Sequence, residues 1–272
     1  MSTDSKILQQ EKVFGFFVYS LPKSASVFLY QLFKDFSIEK NMPYFSIHNQ
    51  PKVENNLYNH KQLNSNIKES FCFCPQRNFL IHKDEEFVHI SELQHILQVR
   101  DPRDILVSQY FSEGWIHNTK SWNEKRREER KNIQKMSIDD YCISRATDKG
   151  LIIGSAKVDP SMPFSLLERY QPAVQIKMLP MPNCTFVKYE DMVTNFRNWL
   201  SQVISPLQFS DDLSVVEKYY QKYKDEFILE EEQMSHKRKI TPGDHKEKLK
   251  PKTIEKLNDI FSDVLDNFDY LR

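Results

Sequence analysis

Residues 13–20 (VFGFFVYS) form a short, almost unbroken apolar run. A run of that kind suits a strand covered on both faces, as in a parallel sheet. Leu21, Pro22, Lys23 and Ser24 break it. From Ser26 the apolar positions Leu29, Leu32, Phe33 and Phe36 recur at three- and four-residue spacing, which predicts a helix. A second strand is predicted at 95–99 (HILQV), and it places His95 in the core; His89, in similar apolar surroundings, reads the same way. That strand runs into Arg100, Asp101 and Pro102. Asp at the N-cap and Pro at the first helical position start a helix through Ile105, Leu106, Ser108 and Tyr110. A third strand, 185–189 (TFVKY), ends at Glu190 and Asp191, and helices are predicted near 192–204 and 214–229. From about 252 onward Ile254, Leu257, Ile260, Phe261, Val264 and Leu265 mark an amphipathic helix. Residues 120–135 carry charges of both signs and read as a solvated helix face. Strands alternating with helices, with no internal repeat, predict an α/β fold: a mostly parallel sheet flanked by helices.

The length of 272 residues suits one domain over 1–272, with loop insertions near 48–70 and 116–165. Lys plus Arg and Asp plus Glu are 38 each, a balance that argues against a general nucleic-acid partner. Only five glycines are present and no G-x-G occurs, so a dinucleotide fingerprint is excluded. Cys72 and Cys74 are close in sequence, but Cys142 and Cys184 make no second pair, so neither a zinc site nor a disulfide framework is expected, and no metal. The N-terminus lacks a signal-peptide core, and no stretch of about 18 apolar residues spans a bilayer. The expectation is a soluble, cytoplasmic protein without a transmembrane segment.

Two segments carry candidate chemistry. Between the first strand and helix, Pro22-Lys23-Ser24-Ala25-Ser26 sets a Lys and two hydroxyls at a helix N-terminus, an anion cradle. It is not a Walker loop, because both glycines are missing, which disfavours a P-loop kinase. In the second segment, Arg100 leaves a strand and Ser108 follows about two helical turns later, a spacing at which both reach one phosphate. Ligands of α/β sheets bind at the carboxyl ends of strands, where Lys23 and Arg100 both fall.

PKSAS after a strand, RDPRDILVS after a later strand and KYEDM after a third, followed by a basic C-terminal segment, resemble the sulfotransferases that use 3′-phosphoadenosine-5′-phosphosulfate (PAPS) and release 3′,5′-phosphoadenosine (PAP). The resemblance spans roughly residues 13–250. It implies a P-loop-kinase-like fold and transfer of a sulfuryl group to a hydroxyl or amine of a small-molecule, carbohydrate or lipid acceptor, without a metal. It implies that Lys23, Ser24, Ala25, Ser26 and Val27 form the loop around the 5′-phosphosulfate, with Lys23 stabilising the leaving phosphate. Phe28 would pack on the adenine and Tyr189 lie by it. Arg100 and Ser108 would hold the 3′-phosphate, with Arg238 and Lys239 on the same side.

Departures from the family pattern are specific. Ala25 stands where the loop has Gly, Val27 where it has Thr, and Ile240 where Gly follows the Arg-Lys pair. The dimer signature K-x-x-x-T-V-x-x-x-E is not met. The Thr-His motif of cytosolic members is absent, so the resemblance names no base. His82 and His117 are the two candidates, with Glu113 or the acceptor itself as remaining options. A non-catalytic nucleotide-binding protein of the same fold is the alternative.

Overall fold

The computed structural model describes residues 15–46, 71–76, 93–117, 122–147, 165–179, 183–207, 212–227 and 240–272. Among the described residues, five parallel strands form one sheet: β1 (Gly15–Ser20), β2 (Tyr44–Phe45), β3 (Phe71–Gln76), β4 (Gln94–Val99) and β5 (Cys184–Lys188). Their order is β2-β3-β1-β4-β5, so β1 is central. Between β1 and β4 the order reverses direction, which places a crevice outside the carboxyl ends of those two strands. Ser20 of β1 is in register with Gln98 of β4, so both strands deliver their next residues to that crevice.

Every residue of β1 is buried. Side chains alternate across a strand. Phe16 and Val18 enter one core with α1 (Ser26–Glu39), α7 (Phe196–Ile204) and α8 (Asp212–Tyr223). Phe17, Tyr19 and Leu21 enter the other, with α2 (Pro102–Phe111), α4 (Ile138–Thr147), α5 (Leu166–Met178), α10 (Pro251–Ile260) and α11 (Ser262–Asn267). Gly15 lies so close to Phe71 that a Cβ there would sit 2.4 Å from its ring. His95 is 5 % exposed on β4, where its Nδ1 meets the Tyr19 hydroxyl at 3.1 Å.

The predicted strands and helices recur with shifted ends. Tyr189, expected to finish the third strand, is the first residue of α6 (Tyr189–Thr194). Helix α2 starts as expected: the Asp101 side chain accepts the amide of Arg103, and Pro102 takes the first turn. The charged stretch is α3 (Glu124–Lys135), and α4 follows it, so much of 116–165 is helical rather than loop. The C-terminal helix is broken at Phe261 into α10 and α11, and a short α9 (Asp244–Lys248) precedes them. The expected connection at 48–70 and His89 lie outside the described residues. All four cysteines are free thiols. Among the described residues, no helix is long and apolar enough to cross a membrane.

Candidate active site

After Ser20 the chain turns through residues 21–25 into α1. Lys23 and Ala25 both have left-handed backbone, with φ 69° and 59°. Such a backbone makes a tight, concave bend of the kind that receives anions. Three buried groups fix it. The Ser20 hydroxyl donates to the Ser24 carbonyl at 2.8 Å, Gln98 Nε2 donates to the same oxygen at 2.6 Å, and Arg100 Nη1 donates to the Lys23 carbonyl at 2.5 Å. With Ala25 as N-cap, no side chain caps the first turn of α1. Three hydrogen-bonding atoms buried around this bend, Ser24 Oγ, Gln98 Oε1 and Arg100 Nε, have no partner among the described residues. Unpaired buried polar atoms are uncommon and point to a ligand that completes them.

Arg100 is 4 % exposed, and its guanidinium lies 4.1 Å from the centre of the Tyr189 ring. Burial opposes its charge, but Tyr189, Asp104 and Glu190 outweigh this and hold its pKa above the ordinary arginine value. Its backbone is secured as well. The Arg100 carbonyl accepts the Tyr170 hydroxyl, and the next amide, of Asp101, donates to Glu190 Oε1 at 2.9 Å. Tyr189 in turn donates to the Ile240 carbonyl at 3.1 Å, which ties the C-terminal segment to the crevice. Asp104 strengthens the tie by accepting the amides of Gly243 and His245 and the Nδ1 of His245, at 2.7, 2.9 and 2.6 Å.

The third side of the crevice comes from a π-helical turn, Ser112–Ile116, that directly continues α2. Such turns mark functional sites more often than chance. Lys23 Nζ donates to Ser112 Oγ at 2.9 Å, and the same Oγ lies 2.8 Å from His117 Nε2. Helix α3 buttresses the turn. Arg130 donates to the carbonyls of His117 and Trp115 at 2.7 and 2.5 Å, and Gln134 to that of Gly114 at 2.6 Å. A Cβ on Gly114 would sit 3.3 Å from Ile133, so the glycine permits the close approach of α3. Glu113 is 7 % exposed and accepts the Tyr141 hydroxyl at 3.1 Å. Burial pushes its carboxyl up to about 7, against the pull of Arg145, Tyr141 and Lys23.

The residues expected from sequence are thus partly gathered. Lys23, Ser24, Ala25 and Ser26 lie on the bend, with Arg100 behind it. Val27, where the family loop has a hydroxyl, is 74 % exposed. Phe28 packs edge-on against Phe196, Tyr223 and Phe227 in the core beside α1. Ser108 is half-buried on α2. His117 is joined to Lys23 through Ser112. His82, Arg238 and Lys239 lie outside the described residues. Ser112, Tyr141 and Arg130 were not anticipated; the only sequence signal for them was their position just beyond the RDPRDILVS segment, with a basic helix after it.

A lysine-bearing bend and a buried arginine, at the reversal point of a parallel sheet, form an α/β site with the chemistry to receive an anionic group. Residues 16–269 match the Sulfotransferase domain family, and the chain belongs to that family. It resembles the crystal structure of mouse sulfotransferase SULT7A1 complexed with PAP, with a TM-score of 0.64 at 14 % identity, over 94 % of this chain and 85 % of that one. It also resembles retinol dehydratase in a complex with retinol and PAP, with a TM-score of 0.50 at 15 % identity, over 95 % of this chain and 82 % of that one. No curated protein sequence matches the chain.

Proposed function

We propose that this sulfotransferase takes the sulfuryl group from PAPS and transfers it to a hydroxyl or amine of a small acceptor. The observation that carries the reading is the pairing of Lys23 and Arg100 at the ends of β1 and β4, around a bend whose Ser24 Oγ and Arg100 Nε have no described partner. Those groups fit a nucleotide with two separate phosphate positions: hydroxyls and a helix start at one, a guanidinium at the other. When bound, the donor supplies a sulfuryl group on a phosphate leaving group. Lys23 then neutralises charge at the leaving phosphate, an interaction strongest in the transition state. Arg100 and Ser108 hold the 3′-phosphate, with Arg238 and Lys239 assigned to the same side. Phe28 and Tyr189 flank the base.

The acceptor must lose a proton. Of the two histidines considered, His117 has the support of geometry, because one hydroxyl separates it from Lys23. Tyr110, Phe111 and Trp115 pack together beside the same turn, with Tyr110–Trp115 ring centres 4.8 Å apart. That surrounding favours an apolar acceptor over a sugar. Retinol dehydratase has been crystallised with retinol and with androsterone, which are molecules of this kind.

Calorimetry with PAP and with adenosine 5′-phosphate tests the donor site. Each charged hydrogen bond left unmade costs about 1.5–3 kcal/mol, so PAP should bind at least about tenfold tighter, and Arg100→Ala should erase most of that preference. Equal affinity for the two nucleotides overturns the assignment.

A further inference from the structure

Ser112 is 1 % exposed, whereas Lys23 and His117, which meet at its hydroxyl, are both partly open to solvent. A serine hydroxyl has one proton and two lone pairs. The ammonium of Lys23 can only donate, so it occupies a lone pair, 2.9 Å away. The hydroxyl proton is then available to His117 Nε2 at 2.8 Å, which leaves the imidazole neutral with its own proton on Nδ1. A protonated His117 reverses that bond, because Nε2 becomes a donor and the hydroxyl proton must turn away.

The hydroxyl is itself held on a fixed frame. Ser112 opens the π turn, and its carbonyl accepts the His117 amide at 3.0 Å, so serine and histidine are joined through backbone as well as side chains. Arg130 clamps the His117 carbonyl from α3. The Trp122 ring lies 6.3 Å from the imidazole and carries the Arg126 guanidinium at 4.2 Å on its face. Among the described residues, charged groups close to this histidine include Lys23 across Ser112 and Arg126 and Arg130 from α3; Glu113, on the same turn, is turned to Tyr141, and Arg145 and Glu129 act on it.

We propose that Ser112 is the positioning residue of sulfuryl transfer: its buried hydroxyl sets the Lys23 ammonium and the His117 imidazole in one register and holds the imidazole in its neutral form. This rests on the sulfotransfer reading given above. Ser112 acts through those two groups, Lys23 on the side of the leaving phosphate and His117 on the side of the acceptor.

The test uses the full chain with PAP and PAPS as probes. In Ser112→Ala the His117 ring, followed by NMR, should titrate about half a pH unit or more higher than in the unaltered protein, because both the hydroxyl proton and the tethered ammonium are lost. PAP affinity should stay within about threefold, while sulfate release from PAPS falls roughly ten- to hundredfold, as expected for lost alignment. In a His117→Ala background the same substitution should cause little further loss, since residues acting as one unit are not additive. An unchanged His117 titration in a folded Ser112→Ala, or equal losses in both backgrounds, overturns the proposal. If the unaltered protein neither binds PAP nor releases sulfate, the sulfotransfer reading fails instead, and the His117 titration still decides whether Ser112 controls the imidazole.

Discussion

Ala25 occupies a backbone region that an L-residue adopts at a cost of about 1–2 kcal/mol. The resemblance marks this position as a glycine elsewhere in the family, and φ 59° is the physical reason a glycine suits it. Ala25→Gly should therefore stabilise the folded chain by roughly 0.5–1 kcal/mol, after the greater flexibility of glycine in the unfolded chain is subtracted. Urea denaturation measures this, and a lower midpoint would contradict it. Glu113 makes a second residue-level case. Its folded pKa of about 7 lies above the ordinary 4.5, so the folded protein holds a proton that the unfolded chain releases. The resulting penalty is absent below about pH 4.5, grows as pH rises, and is complete above about pH 7. Glu113→Gln keeps an acceptor for Tyr141 without the charge. It should gain about 3 kcal/mol at pH 8 and almost nothing at pH 4. An equal gain at both pH values would show that burial of the charge is not the cause.

Among the elements, the pairing of α2 with α9 is decided by one carboxylate. Burial raises the Asp104 pKa, but the His245 hydrogen bond and the charge of Arg100 bring it down to about 2. A lowered carboxyl stabilises the fold above its ordinary pKa of 3.8, and that contribution is lost as pH falls towards 2. Asp104→Asn should cost roughly 2–3 kcal/mol at neutral pH. It should also weaken PAP binding, because α9 follows the Ile240 carbonyl that holds Tyr189 beside Arg100. Denaturation at pH 7 and pH 2.5 separates the outcomes: the deficit of the variant should shrink at the lower pH. How much of these elements was legible varied with local chemistry. The Asp101-Pro102 start of α2 and the apolar run of β1 were plain. Strand β3 was hidden by Pro75, which reads as a breaker, and its Cys72 and Cys74 were weighed only as a possible zinc or disulfide pair and set aside. Helix α5 contains Pro172, which reads as a breaker, although its capping box, Ser165 with Glu168, was a usable start signal. The π turn has no periodicity to find.

At the scale of the whole molecule, three motifs in the right order were enough to place Lys23 and Arg100 at one end of a parallel sheet, because strand ends and crossover rules fix that much. The sequence alone could not reveal that Lys23 reaches Ser112, a residue 89 positions away. That contact depends on how far α2 carries the turn across the sheet edge, and on α3 folding back to clamp it with Arg130 and Gln134. Two cores, one on each face, make β1 the common wall, so the bend that follows it inherits the rigidity of both.

Arg103, just past the strand end that carries Arg100, is 1 % exposed and divides its guanidinium between Asp101, Asn258 and the carbonyl of Leu271. Synthesis runs from the N-terminus, so a ribosome delivers this arginine, its aspartate and the whole bend after β1 long before residues 258 and 271 exist. Through that interval the nascent chain carries a guanidinium with half its acceptors still to be made, and burying it early would strand those donors. The crevice is therefore written first and sealed last: the wall behind Arg100 can settle only once residues 258 and 271 have folded back onto Arg103.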